Sequence, residues 1–286
     1  DITEFRPTYL RKRLGIRKGG LSLLAGCPPC QGFSTLRTLN GGKDVDEPMN
    51  DLIFQFLKFI KAFVPKAIMM ENVPGLANDP RIQSFRGQIR TLGYFSEVRV
   101  LDAADFGTPQ RRRRMVLLAV RGRAPNFAQG AKYRKTVKWA LSKLPATRRC
   151  SDPLHNYEVR RSDDIIELIR SIPRDGGGRT DLPEDFQLPC HKKCDGFKDI
   201  YGRMSWGQPS PTITGGCINP SKGRFLHPTE HRAITLREAA MLQGFSKSYR
   251  FDMSRGRYPV AQLIGNAFPP KFAEMHARKL LEQIAL

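Results

Sequence analysis

The chain has 286 residues, 40% of them hydrophobic, and a formal net charge of +21. This composition is sufficient for a folded core, and the sequence has no run of about 18 apolar residues of the kind that forms a transmembrane helix. The positive charge favours a polyanionic partner, most simply a nucleic acid, although a basic face in contact only with solvent would give the same total. Six cysteines without regular spacing do not resemble a disulfide framework, so we expect a reducing, intracellular setting.

The first predicted strand is the apolar run from Leu21 to Ala25, which follows a basic connector at residues 6–18. It leads into Gly26-Cys27-Pro28-Pro29-Cys30, where two consecutive prolines stiffen the loop. Open α/β sheets carry their chemistry at the carboxyl ends of their strands, so the Cys30 thiol is a candidate nucleophile. We expect Cys27 to be a small buried group.

Two other roles for this Cys-x-x-Cys pair are open. A zinc site would need further ligands from Cys190, His191 and Cys194, which lie far away in the chain at irregular spacing. A redox pair of the thioredoxin type would open a helix, whereas residues 31–34 lead into a polar, glycine-rich stretch. Both signals are weak, and we predict no metal site.

The second predicted strand, Ala67 to Met70, is followed by Glu71-Asn72-Val73-Pro74-Gly75. Because both strands end in turns, we expect Glu71 to lie at the same sheet edge as Cys30. Residues 36–49 between them predict a mobile loop, and apolar residues at helical spacing predict a helix over residues 52–63.

The rest of the chain continues this alternation of helices and strands. Its predicted elements are a helix over 79–92, strands over 94–101 and 115–120, a helix over 136–144, a helix over 165–172, a helix over 234–245 with a Thr235/Glu238 capping box, and a terminal helix within 258–286 that follows a turn at Gly265-Asn266.

Five ordered blocks resemble the DNA cytosine-5 methyltransferase family. They are Pro29-Cys30-Gln31, Glu71-Asn72-Val73, Gln110 to Arg114, Arg203 with Pro211 to Thr214, and Gly265 to Pro270. The resemblance implies an α/β fold: a class I S-adenosylmethionine-dependent methyltransferase with a Rossmann-like sheet that lacks its first strands, plus a small target recognition domain. We predict a catalytic domain from residues 1–145 and 256–286, and a target recognition domain with its hinge over 146–255.

By this resemblance, the protein transfers a methyl group from S-adenosylmethionine to carbon 5 of a flipped-out cytosine in double-stranded DNA. Cys30 attacks carbon 6, Glu71 supplies a proton at N3, and Arg112 and Arg114 face the base and the carboxylate. The base that removes the carbon 5 proton is left open, with water among the candidates. The other residues that the resemblance places at the substrate are Gln31, Ser34, Asn72, Val73, Gln110, Arg203, Thr212 and Thr214, and those at the cofactor are Asp1, Ile2, Pro29, Leu52, Asn266 and Ala267.

One departure from the family concerns the cofactor pocket. The family pattern includes a glycine-rich turn after its first strand, whereas this chain opens at Asp1-Ile2-Thr3, which resembles the end of the third family block. We therefore expect the pocket to need a complementing N-terminal segment or subunit.

The competing functions are a DNA-binding fragment without catalysis, one half of a split methyltransferase, and a methyltransferase that acts on RNA. We expect a role of the restriction-modification type and no membrane partner. The expected location is the cytoplasm of a bacterium, at the nucleoid, or the nucleus of a eukaryote.

Overall fold

The structure is a computed structural model that describes residues 1–29, 52–157, 159–183, 186 and 198–285. Cys30, Gln31, Ser34, the loop over 36–49 and the zinc candidates Cys190, His191 and Cys194 lie outside these residues. The helices and strands are α1 (Pro7–Arg13), β1 (Leu23–Gly26), α2 (Leu52–Phe63), β2 (Ala67–Asn72), α3 (Pro80–Arg90), β3 (Tyr94–Asp102), β4 (Arg113–Arg121), α4 (Val137–Leu141), α5 (Asp163–Ser171), α6 (Leu236–Gln243), α7 (Arg257–Asn266) and α8 (Pro270–Ala285).

The four strands form one mixed sheet in the order β1-β2-β4-β3. β1 and β2 are parallel, whereas β4 runs antiparallel to both β2 and β3. β2 is buried at all six of its positions, because it pairs on both sides and is covered on both faces. It continues through Glu71 and Asn72, which pair with Val116 and Met115 of β4, so Glu71 lies inside the strand and not after it as predicted.

One face of this sheet is covered by α2 and α3. Ile53, Phe56, Leu57 and Ile60 of α2 follow the helical spacing of the sequence and are buried. Gly26, at the end of β1, lies so close to α2 that a Cβ atom there would be 2.6 Å from the ring of Phe56. A glycine is therefore required where β1 leads into the Pro28-Pro29 loop.

The chain forms two compact units. Unit 1 comprises residues 1–102, 113–129 and 273–286, and unit 2 comprises residues 103–112 and 130–272. These units are defined by internal contacts, whereas the predicted domains are defined by function. The division into a catalytic domain and a recognition domain over 146–255 therefore stays a prediction.

The core of unit 2 is built largely from α6 and α7. Leu236, Ala239 and Leu242 of α6 are buried together with Val260 and Ile264 of α7. The predicted capping box is confirmed. The Thr235 hydroxyl accepts a hydrogen bond from the Glu238 amide, and the Glu238 carboxylate accepts one from the Thr235 amide.

The turn predicted at Gly265-Asn266 is wrong, because α7 continues through Asn266 and the chain turns over residues 267–269 before α8. Among the described residues, no helix combines the length and the apolar composition that would cross a bilayer.

Candidate active site

Glu71 and Arg114 form an ion pair across two neighbouring strands. Glu71 of β2 lies opposite Val116, so Arg114, two residues away on β4, is its diagonal neighbour on the same face of the sheet. The Arg114 Nε atom lies 2.8 Å from Glu71 Oε1, and both side chains are largely buried. Burial lowers the pKa of Arg114 and the Glu71 carboxylate opposes that shift. The contact between Arg114 Nε and Glu71 Oε1 holds the carboxyl group in place on this face of the sheet.

Asn72 ties this pair to the loop that leads towards Cys30. Its Nδ2 atom donates to the Pro28 carbonyl at 3.0 Å, and its Oδ1 atom accepts from the Val73 amide at 2.8 Å. With its amide engaged on both sides, Asn72 holds the Pro28-Pro29 turn against the carboxyl end of β2. This side chain, predicted to contact substrate, is buried and positions the loop.

The prediction that Cys27 is buried is wrong. Its side chain is exposed, because β1 ends at Gly26 and within the described residues pairs only with β2. Cys27 lies near enough to Arg114 to favour the charged form of the guanidinium.

Arg112 belongs to unit 2 and is held by two backbone carbonyls. Its Nη1 and Nη2 atoms donate to Ile213 O and Gly265 O, each at 2.9 Å. A Cβ atom on Gly265 would lie 2.2 Å from the Thr214 carbonyl carbon, so the two backbone segments are in direct contact. The predicted contact of Arg112 with the base is not what this conformation shows. The side chain is 3% exposed and braces two of the family blocks against each other.

Gln110 is likewise committed inside unit 2. Its Oε1 atom accepts from the Ile213 amide, and its Nε2 atom donates to the carbonyl of Leu242 and to the side chain of Gln243. Gln243 then donates to the Ala267 carbonyl. This chain of amides is fully buried at both glutamines, and the substrate contact of Gln110 stays a prediction. Sequence reasoning missed Gln243, whose only signal is a polar residue at the end of an apolar helix.

Arg203 is a structural residue of unit 2. Its side chain is 0% exposed, and its donors bind the backbone carbonyls of Ile169, Ile172, His227 and Glu230 and the ring of His231. A guanidinium with this many internal partners cannot reach a substrate in the described conformation. Arg203 joins two stretches of the backbone, and its predicted substrate contact stays a prediction.

The remaining predicted substrate residues are partly exposed. The Thr212 hydroxyl donates to the Arg111 carbonyl at 2.8 Å, and the Thr214 hydroxyl accepts from the Gly216 amide at 3.3 Å. Val73 lies half-buried just after β2. Their predicted substrate contacts stay predictions.

The predicted cofactor residues fall in both units. Asp1, Ile2 and Pro29 are exposed and Leu52, at the start of α2, is half-buried, all in unit 1, while exposed Asn266 and half-buried Ala267 belong to unit 2. The Asp1 carboxylate accepts from the Thr3 amide at 2.8 Å. An accessible carboxylate next to exposed apolar surface suits the amino group and ring of an adenine. The residues therefore fit the adenine end of the implied cofactor. In the described part of the chain, no group of three or more His, Cys, Asp or Glu side chains could hold a metal ion.

Comparisons with known proteins place these features in a family. The family model for C-5 cytosine-specific DNA methylases matches residues 1–282. The chain is 33% identical to Type II methyltransferase M1.BsuMI of Bacillus subtilis over 263 residues, covering 89% of this chain and 59% of that protein. It is 34% identical to Type II methylase M.HgiDII of Herpetosiphon aurantiacus over 276 residues, covering 90% of this chain and 75% of that protein.

Solved structures share the fold. The Entamoeba histolytica methyltransferase EhMeth aligns with a TM-score of 0.63 at 15% identity, over 100% of this chain and 82% of that one. The S. pombe Dnmt2 methyltransferase aligns with a TM-score of 0.59 at 19% identity, over 100% of this chain and 84% of that one. The expected α/β methyltransferase fold is thereby confirmed. Because the family model matches residues 1–282 of this 286-residue chain, the chain belongs to the C-5 cytosine-specific DNA methylase family.

Proposed function

We propose that this protein methylates carbon 5 of cytosine in double-stranded DNA through a covalent adduct with Cys30. The observation that carries the proposal is the Glu71–Arg114 pair, tied by Asn72 to the Pro28-Pro29 turn that directly precedes Cys30. A carboxyl group held by an ion pair, next to a stiff loop that leads to a thiol, suits attack on a cytosine ring.

Cys30, Glu71 and Arg114 each have a separate role in the proposed reaction. The Cys30 thiolate adds to carbon 6, which turns the ring into an enamine whose carbon 5 is nucleophilic. Glu71 donates a proton at N3, so negative charge does not build up on the ring, while Arg114 keeps the carboxyl group oriented. S-adenosylmethionine supplies the electrophilic methyl group when bound. Loss of the carbon 5 proton to a base then expels the Cys30 thiolate, and return of the N3 proton to Glu71 restores the enzyme.

Arg112, Gln110 and Arg203 support this chemistry indirectly. Each is buried and uses its side-chain donors on other parts of unit 2. We assign them as positioning residues: Arg112 and Gln110 hold the Ile213 backbone, and Arg112 also holds Gly265 beside the proposed cofactor residues Asn266 and Ala267.

The test is mechanism-based trapping. A fluorine at carbon 5 cannot leave as a proton does. With S-adenosylmethionine and a cofactor-competent form of the enzyme, a duplex carrying 5-fluorocytosine at target sites should therefore form an adduct that survives denaturation. Cys30→Ser should abolish the adduct, whereas Cys27→Ala should retain it, because the Cys27 thiol lies at the exposed end of β1. An adduct that persists in Cys30→Ser, or maps to Cys27, would overturn the assignment.

The proposal includes a complementing N-terminal segment or subunit that carries the glycine-rich turn of the cofactor site. The described cofactor candidates match the adenine end, while a glycine-rich turn at a helix N-terminus is the family's usual cradle for the rest of the molecule. Calorimetry should find tighter S-adenosylmethionine binding when such a segment is supplied in cis or in trans. Micromolar binding by residues 1–286 alone would refute this part.

The place of action follows from the substrate. A DNA methyltransferase works where DNA is kept, at the nucleoid of a bacterium or in a eukaryotic nucleus. Restriction-modification is the role we propose, since two similar proteins carry Type II names.

A further inference from the structure

Unit 2 carries a group of lysines and aromatic rings that the chemistry above does not use. We call it the lysine–aromatic surface, and it consists of Lys132, Tyr133, Lys135, Trp139, Lys143 and Lys271. The Tyr133 side chain is 74% exposed and that of Trp139 is 49% exposed. Large aromatic side chains with this exposure add little to the stability of the fold, so their position calls for another explanation.

The sequence concentrates positive charge at this surface. From residue 106 to residue 151 there is no Asp or Glu, while residues 130–149 alone contain seven basic residues, namely Lys132, Arg134, Lys135, Lys138, Lys143, Arg148 and Arg149. The acidic residue just before this stretch, Asp105, is bound by Arg134 at 2.7 Å. The lysine–aromatic surface thus belongs to a long stretch without negative side chains.

The fold holds this surface rigidly. Val137, Ala140 and Leu141 of α4 are buried in the unit 2 core, and the Thr136 hydroxyl caps the helix by accepting from the Trp139 amide. Lys135 and Lys143 flank α4 on its two sides in the sequence, and Lys135 is held against the ring of Trp139 on the exposed side of the helix. The buried side of α4 therefore fixes the direction of its charged side.

The ammonium group of Lys135 is repelled by those of two other lysines. The pKa of Lys135 is lowered, first by partial burial and then by the positive charges of Lys271 and Lys143. Like charges held this close destabilise the isolated protein. A bound polyanion would relieve that repulsion.

The aromatic rings indicate which kind of nucleic-acid contact this is. The Lys135 Nζ atom lies 3.6 Å from the centroid of the Trp139 ring, and Lys132 Nζ lies 5.4 Å from that of Tyr133. Each ring thus already has an ammonium group over it, which argues against stacking of an unpaired base on that side. Cation–π contacts restrict the lysines in advance, so less entropy is lost when they meet phosphates.

We propose that the lysine–aromatic surface binds phosphates of duplex DNA without regard to sequence, and so gives the protein a salt-dependent hold on DNA in addition to the target site. This inference rests on the proposed function, since it takes DNA as the substrate. Sequence-independent phosphate contacts fix a protein on the duplex and raise the rate at which it finds its targets.

The test compares two triple variants of equal charge. One is Lys135→Gln/Lys143→Gln/Lys271→Gln, and the control is Lys12→Gln/Lys58→Gln/Lys61→Gln, which removes three exposed lysines of unit 1. Fluorescence anisotropy with a labelled random-sequence duplex gives the affinity of each protein between 50 and 200 mM KCl. Each lost phosphate contact makes the negative slope of log affinity against log salt shallower by about 0.9. The slope of the surface variant should therefore be shallower by about 2 to 3, and this variant should bind at least about tenfold more weakly.

The control variant should keep the slope of the unmodified protein. Equal losses in both variants would mean that DNA binding follows net charge alone, and the inference would be wrong. Thermal unfolding of all three proteins checks that the exchanges, all at accessible lysines, leave the fold intact.

A second measurement reads the surface directly. The chain has two tryptophans, so the difference in fluorescence between the protein and its Trp139→Phe variant reports Trp139. Duplex DNA should protect this signal from acrylamide quenching, and an unprotected Trp139 under saturating DNA would also overturn the inference. Methyl transfer is assayed in parallel with a cofactor-competent form of the enzyme, to which the complementing N-terminal segment has been supplied. Methylation with unchanged binding by the surface variant refutes the surface alone, whereas DNA binding through the surface without methylation refutes the proposed function alone.

Discussion

Replacing Glu71 by glutamine separates the shape of the carboxyl group from its acidity. Arg114 donates from Nε to Oε1 of Glu71 at 2.8 Å, and a guanidinium has only donors. A glutamine at position 71 would therefore turn its amide oxygen towards Arg114 and its NH₂ group away from it. That group can donate a hydrogen bond to N3 of a neutral cytosine but cannot deliver a proton, so binding of the base should be kept while its activation is lost.

The expected loss can be given a size. General acid catalysis contributes about 10²- to 10⁴-fold, which corresponds to about 2.7 to 5.4 kcal/mol of activation free energy. In a cofactor-competent form of the enzyme, kcat for transfer of a radiolabelled methyl group should fall by this factor for Glu71→Gln, with little change in the affinity for DNA. Glu97→Gln is a matched control, because Glu97 pairs with Arg99 at 2.6 Å on the exposed part of β3. Exposed pairs contribute about 0 to 1 kcal/mol, so this variant should retain its rate.

Two results would refute the reasoning. An unchanged kcat would show that the proton at N3 comes from elsewhere. A loss confined to DNA affinity would show that Glu71 only positions the substrate.

Two further predictions concern unit 2. Gly265→Ala would place a Cβ atom 2.2 Å from the Thr214 carbonyl carbon, and urea titrations should show a free energy of unfolding lower by about 1 to 3 kcal/mol. The control Gly207→Ala should be neutral, because no atom lies within 4 Å of its Cβ position. Equal effects of the two variants would contradict the close approach at Gly265. For Glu238, burial raises the pKa but the hydrogen bond and charge of Arg232 outweigh it, so the folded-state pKa lies below 4.5. Its contribution to stability is then present above about pH 4.5 and lost as the pH falls through the lower folded value, and Glu238→Gln should flatten this acid-side loss in a pH series of denaturant melts.

The sequence was most informative where structure is local. The apolar spacing up to about Phe63 predicted α2, and the Thr235 and Glu238 side chains predicted the start of α6, because both signals depend on neighbours within one or two helical turns. The strand over 115–120 was predicted two residues short at its start, since Arg113 and Arg114 are polar but pair with β3 all the same.

The roles of polar side chains were less predictable. Gln110, Arg112 and Arg203 were expected at the substrate, yet they bind backbone carbonyls up to 153 residues away in the chain. A single sequence gives no sign of which distant carbonyls a buried guanidinium or amide will meet. The contact of an arginine with Glu71 was expected only from the family resemblance, because it depends on the pairing of β2 with β4, which local patterns do not determine.

The hydrogen bonds of Arg203 also have a consequence for local unfolding. They join Ile169 and Ile172, about 30 residues before it, to His227 and Glu230, about 25 residues after it. Closing each of these loops costs about 3 kcal/mol of chain entropy, and a guanidinium that has reached only one side still leaves the other carbonyls unbonded in the interior. Partial assembly is therefore unfavourable, and both stretches should open and close as a single cooperative unit. Native-state hydrogen exchange should show a common opening free energy for the amides around Ile172 and around His227, although 55 residues of sequence separate them.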